Sequence, residues 1–144
     1  MSFVSRGFTG RRRTGPPGRL PPGLAPFLSM LGHHRATGGA RPVRLLYSAR
    51  TVDDVIGRVE LEDHPPSVEV TVTLTCGAPA GWTGLTGRVD TSLLAEQTVP
   101  PAREPDVLVC GPTGFVEIVA GALIELGHHP RRIKTERFGA SGGP

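Results

Sequence analysis

Two short segments carry the residue types best suited to chemistry: Cys110-Gly111-Pro112-Thr113 and Ser48-Ala49-Arg50. Each follows an apolar run, Val107-Leu108-Val109 in the first case and Val43 to Tyr47 in the second. A strand that ends in glycine and turns straight into a helix gathers bare backbone N–H groups and the positive end of a helix dipole at one point. Anions and the polar edges of flat rings dock at such points, so this is a nucleotide-binding shape. Glycine lets a flat ring approach the backbone, and the Cys110 thiol stands where a ring carbon could lie. In the second segment a hydroxyl and a guanidinium are suited to the ribose or phosphate of an adenine nucleotide, because arginine makes paired hydrogen bonds to phosphate. Plainer structures fit the same residues: an ordinary strand-to-helix turn, and an exposed loop arginine. Neither a GxGxxG fingerprint nor a Walker lysine motif is present to separate the readings.

The elements that must position these residues alternate in type. Helical periodicity starts at Pro26, a residue preset for a first helical turn, with Phe27, Leu28, Met30 and Leu31 as the apolar face and Gly38-Gly39 as the stop. Arg41 to Arg50 contains a short buried strand, and Thr51 caps a short helix with Asp53 and Asp54 in its first turn. Val68 to Thr75 alternates with a period of two, as a strand near a sheet edge does. After a glycine-rich loop, Gly77 to Gly87, a short helix through Leu93 and Leu94 is broken by Pro100-Pro101. The strand 107–110 is apolar on both faces, the mark of a strand covered on each side. The helix after it stripes Phe115, Val119, Ala122, Leu123 and Leu126 and stops at Gly127, and Ile133 to Phe138 is the last strand. This alternation predicts an α/β, doubly wound parallel sheet whose ligand lies at the carboxyl ends of the strands.

Composition narrows the field. The chain has 144 residues, room for one domain, with 38% apolar residues, 20 Gly and 15 Pro. Residues 1–22 form an expected disordered tail, rich in Gly and Pro and carrying Arg6, Arg11, Arg12, Arg13 and Arg19. Residues 23–139 are the expected domain and 140–144 a flexible C-terminus. The net charge of +3 sits largely in the tail, so no nucleic-acid partner is expected. No apolar run reaches about 18 residues, so no membrane span is expected. Cys76 and Cys110 form no CxxC pair, which argues against a metal site or a disulfide scaffold and leaves a reducing, cytoplasmic location as the default. His33-His34 and His128-His129 have no third ligand spaced to join them, so no metal is expected.

Five segments in order, Pro26-Phe-Leu-Ser-Met-Leu31, Leu46-Tyr-Ser-Ala-Arg-Thr51, Gly81-Trp-Thr-Gly-Leu-Thr-Gly-Arg-Val-Asp90, Val109-Cys-Gly-Pro-Thr-Gly-Phe-Val-Glu117 and Glu136-Arg-Phe-Gly139, resemble the NAD(P)-binding domain of the ferredoxin-NADP reductase superfamily. The resemblance runs from about Gly23 to Gly139. It implies an oxidoreductase domain that binds NAD(P)H and delivers its hydride to a flavin for onward electron transfer. It also implies that Cys110 and Glu136 act at the reacting centre, with Gly111, Pro112 and Thr113 lining the nicotinamide position. Ser48 and Arg50 would hold the adenosine side, Phe138 with Glu136 would face flavin and nicotinamide, and Gly23 and Pro26 are what is left of a glycine-rich motif. Arg50 tilts the expectation toward NADPH, since a 2′-phosphate wants a cation.

Two departures from the family shape the expectation. Nothing matches the Arg-x-Tyr-Ser motif of the family's flavin barrel, so FAD or FMN is expected only if another chain supplies it, together with a separate flavin domain or an electron-acceptor protein. The family's strand order, 3-2-1-4-5, also places a strand at its centre for which the prolines between Pro16 and Pro22 are unfit. That first central strand is therefore expected to be degraded or missing: either Ser2 to Thr9 fills the gap poorly or two strands keep unpaired central edges, in a truncated member whose first 20 or so residues are not the family's own. The alternative expectation is a noncatalytic nucleotide-binding or interaction module, or a nonfunctional fragment.

Overall fold

The computed structural model describes residues 1–6, 25–55 and 57–138. Its frame is one parallel sheet of six strands in the order β4-β3-β2-β1-β5-β6. The strands are β1 (Ser2–Arg6), β2 (Val43–Ala49), β3 (Val68–Leu74), β4 (Leu85–Thr86), β5 (Val107–Gly111) and β6 (Ile133–Arg137), and the helices are α1 (Ala25–Ala36), α2 (Arg58–Glu62), α3 (Thr91–Gln97) and α4 (Thr113–Glu125). The doubly wound parallel sheet is as expected, and β3-β2-β1-β5-β6 reproduces the 3-2-1-4-5 order with a two-residue strand added beyond β3.

One expectation fails, and it concerns the centre of the sheet. Ser2–Arg6 is not tail; it is the central strand, paired with β2 from Ser2↔Arg44 to Arg6↔Ser48 and with β5 from Ser2↔Val107 to Ser5↔Cys110. The prolines are not needed there, because five residues upstream of them fill the place. Successive strand side chains point to opposite faces, so Phe3 enters one core and Val4 the other. The strand is anchored at its start by the Ser2 N–H, which donates to the Asp106 carbonyl at 2.9 Å, and by the Ser2 hydroxyl, which accepts from the Val99 N–H at 2.8 Å. Two serines in five residues hide the strand from a hydropathy pattern, and both are buried. The rest of the expected tail, Gly23 and the expected C-terminal segment lie outside the described residues.

Each face of the sheet has its own core. On one, Phe3, Leu45, Tyr47, Val68 and Leu74 pack with Phe27 and Leu31 of α1 and Leu61 of α2. Phe3 and Phe27 meet edge to face, 5.3 Å between ring centres. On the other, Val4, Leu46, Val107 and Val109 pack with Leu94 of α3 and with Val116, Val119 and Leu123 of α4. The expected α4 stripe is thus shifted: Phe115, Ala122 and Leu126 pack at its margin, and Val116 is fully buried. Asp90 caps α3 by accepting the Leu93 N–H at 2.8 Å. Thr51 and Asp54 close a capping box on a single 3-10 turn, Val52–Asp54, where the acids were expected to start a helix.

Candidate functional site

The carboxyl ends of β2, β1, β5 and β6 form one continuous edge. Registers fix who stands beside whom: Ser48 beside Arg6, Cys110 beside Ser5 and Glu136, and Gly111 beside Arg137. From β1 the order runs outward through β2 on one side and through β5 on the other, so β1 is the switch point of the sheet. In open α/β sheets ligands bind in the crevice outside such a point. The structure therefore brings the two segments singled out by their chemistry to one edge, on opposite sides of one strand.

On the β5 side the geometry is set by backbone. Gly111 ends the strand, Pro112 is the N-cap of α4, and the Val116 N–H donates to the Pro112 carbonyl at 3.0 Å. Gly111 is needed for space: an added Cβ would lie 2.6 Å from Cδ1 of Phe115 and 3.4 Å from Cβ of Arg6. The Gly111 carbonyl accepts the Phe138 N–H at 3.1 Å, which ties the end of β6 to the turn. Thr113 and Glu136 are exposed, Pro112 and Phe138 half-buried. Cys110 is buried; burial pushes its thiol up to about 11, with the negative charge of Glu136 acting in the same direction. At neutral pH it is an uncharged S–H.

On the β2 side the edge is made of side chains. Ser48 lies within the sheet, 2% exposed, while Arg50 stands in solvent just beyond the strand. The Arg50 guanidinium beside the exposed Cys76 thiol lowers the thiol's pKa, and the Thr75 hydroxyl, 3.8 Å from the sulfur, adds to the effect. The Cys76 N–H in turn donates to the Arg50 carbonyl at 2.9 Å. Pro26 opens α1, whose far end is held at the opposite edge by His34 Nε2 and the Ser67 hydroxyl at 2.9 Å, so Pro26 belongs to the edge that carries the site. Gly23 lies outside the described residues.

Two residues at this edge escaped the sequence reading. Cys76 has no CxxC partner in the sequence, and the group that acts on it is Arg50, 26 residues earlier in the chain. Arg6, one of the arginines of the expected tail, ends β1 with its guanidinium carbon 5.9 Å from the Phe115 ring centre. Only the hydrophobic pair Phe3-Val4 before it signals a strand. Among the described residues no group of three or more His, Cys, Asp or Glu side chains is placed to hold a metal, and no helix is long and apolar enough to cross a membrane.

A switch-point crevice flanked by a glycine turn is shared by many α/β proteins, and the sequence as a whole decides among them. The family model of the oxidoreductase NAD-binding domain matches residues 22–121. The chain belongs to that family. This NAD-binding domain is of the ferredoxin-NADP reductase type. It is 30% identical over 108 residues to human NADH-cytochrome b5 reductase 2, covering 72% of this chain and 39% of that protein. It is 34% identical over 89 residues to NADH-cytochrome b5 reductase 1 of Lodderomyces elongisporus, covering 59% of this chain and 29% of the relative. In fold the domain matches the cytochrome b5 reductase domain of Ulva prolifera nitrate reductase with a TM-score of 0.75 at 19% identity, over 94% of this chain and 47% of that one. The domain thus spans well under half the length of these curated relatives.

Proposed function

We propose that the domain binds a nicotinamide dinucleotide across its carboxyl edge, with the nicotinamide over Cys110-Gly111-Pro112 and the adenosine beside Ser48 and Arg50, and presents it to a flavin carried outside this domain. The observation that carries this reading is the placement of the β2 and β5 ends on one edge, either side of the switch-point strand. The first turn of α4, directly after the Gly111-Pro112 turn, offers free N–H groups to the polar edge of a flat ring.

Bound there, the nicotinamide would supply a hydride and the flavin would accept it; the protein's part is position and electrostatics. Cys110 keeps its proton at neutral pH, so it packs against the ring without placing a charge beside it. Glu136 and Phe138, at the end of β6, stand at the exposed lip where a second ring system would arrive. Thr113 offers a hydroxyl at the start of α4, and Pro26 closes the edge from α1. Arg50 supplies a cation at the adenosine end, which favours a phosphorylated ribose. Two free cysteines and no long apolar helix among the described residues suit a cytoplasmic, reducing setting.

Titration of the purified chain with NADPH and NADH, with and without FAD, tests this. Saturable binding of at least one nucleotide is expected, with Arg50 giving NADPH the advantage. A folded sample that bound neither would sink the proposal. Binding without any diaphorase activity in the presence of a flavin domain would point instead to a noncatalytic nucleotide-binding module.

A further inference from the structure

Resting on the nucleotide-binding reading, we infer that Arg6, at the end of the central strand, holds the pyrophosphate of the bound dinucleotide. A dinucleotide that lays one end at Ser48-Arg50 and the other at Gly111-Pro112 must carry its two phosphates over the end of the strand between them. That strand is β1, and its last residue is Arg6, in register with Ser48 on the one side and one residue past the partner of Cys110 on the other.

The guanidinium is held in place from below. Gly111, lacking a Cβ, lets Arg6 and Phe115 close over it, and the guanidinium carbon sits 5.9 Å from the Phe115 ring centre. Phe115 belongs to the first turn of α4, so the cation and the positive end of a 13-residue helix converge on one spot. A contact through the ring face uses none of the five N–H donors of arginine. Among the described residues no carboxylate pairs with Arg6; the ion pairs there are Arg35–Asp63, Arg44–Glu69 and Arg132–Asp106. A half-buried cation that spends no donor on a side chain among the described residues, beside a helix N-terminus, suits a doubly charged anion, and the fork geometry of guanidinium matches phosphate oxygens.

The test separates phosphate recognition from strand structure by varying the charge of the ligand. Wild type, Arg6→Met and Arg6→Lys are titrated with NADH, NADPH, ADP, AMP and adenosine. Methionine keeps the apolar stem in the strand; lysine keeps the charge and loses the fork. In Arg6→Met, binding of ADP and of the dinucleotides falls roughly tenfold, as expected for loss of a hydrogen bond to a charged group, while adenosine binds as before. Arg6→Lys recovers part of that loss, and rising salt erodes the advantage of wild type over Arg6→Met. Should Arg6→Met fail to fold, the ADP-to-adenosine ratio of Arg6→Lys against wild type decides the question alone. An unchanged ratio in a folded variant overturns the role of Arg6 and leaves the nucleotide site standing. Wild type that binds no dinucleotide overturns both.

Discussion

On the β5 side of the central strand the functional edge is backbone clamped by a buried helix; on the β2 side it is side chains standing on short turns. Helix α4 runs 13 residues and buries Val116, Val119 and Leu123 to within 1% of full burial. Its counterpart beyond β2 is a single 3-10 turn and the five-residue α2, and between α2 and β3 lies an open cleft of about 620 Å³ lined by Val52, Leu61, Val70, Val72 and Trp82. The contrast teaches how the work is divided. In the proposed nucleotide site, backbone N–H groups held at fixed positions need a rigid support, whereas a phosphate met by a long arginine tolerates looser ground.

The strongest way to break this contrast is to remove one core leucine from each side. Leu123→Ala, beneath the glycine turn, is expected to cost about 3 kcal/mol, within the range for a fully buried leucine whose cavity cannot collapse. Leu61→Ala, beside the open cleft, is expected to cost about 2 kcal/mol because its surroundings can relax. Urea melts of the two variants measure this, and equal losses would mean that the two sides are equally rigid.

A smaller effect is expected from Gly111→Ala. The added methyl meets the Phe115 ring at 2.6 Å, so overpacking of about 1.5 kcal/mol follows. Combining it with Phe115→Leu should restore much of the loss, since the ring is the obstacle and the backbone at Gly111 is not left-handed. Failure of that rescue would show that the constraint is in the backbone.

The mildest probe compares the two thiols. Cys76, held down by Arg50, should react with a maleimide or a disulfide reagent near neutral pH, and Cys110 should stay unreactive in the folded protein. The sign of the linked effect on stability is fixed. The folded state holds the Cys110 proton up to about 11, above the ordinary thiol value of 9.0, so the contribution of this group is fully present below pH 9.0 and is lost as pH rises toward 11. Melting temperatures of wild type and Cys110→Ala across that window should converge as the pH rises; parallel curves would remove Cys110 from the account.

Much of the frame was legible in the residues alone. The period of two in Val68 to Thr75, the two-sided apolar run at β5 and the glycine stop at Gly127 each depend on neighbours in sequence, and each element formed where its pattern lay. So did the pairing of chemistry-bearing segments with strand ends, since a parallel sheet with helical crossovers must bring those ends to one edge.

What the sequence could not specify was anything held in place by distant partners. Ser2–Arg6 is too short and too polar to declare itself, and draws its order from β2 and β5, residues roughly forty and a hundred positions away. The same distance hides the Arg6–Gly111–Phe115 cluster and the Arg50–Cys76 contact. Local propensity and periodicity are written along the chain, but whether a strand is central, or a cation stands beside a glycine turn, is a property of contacts made only once the sheet has closed around β1.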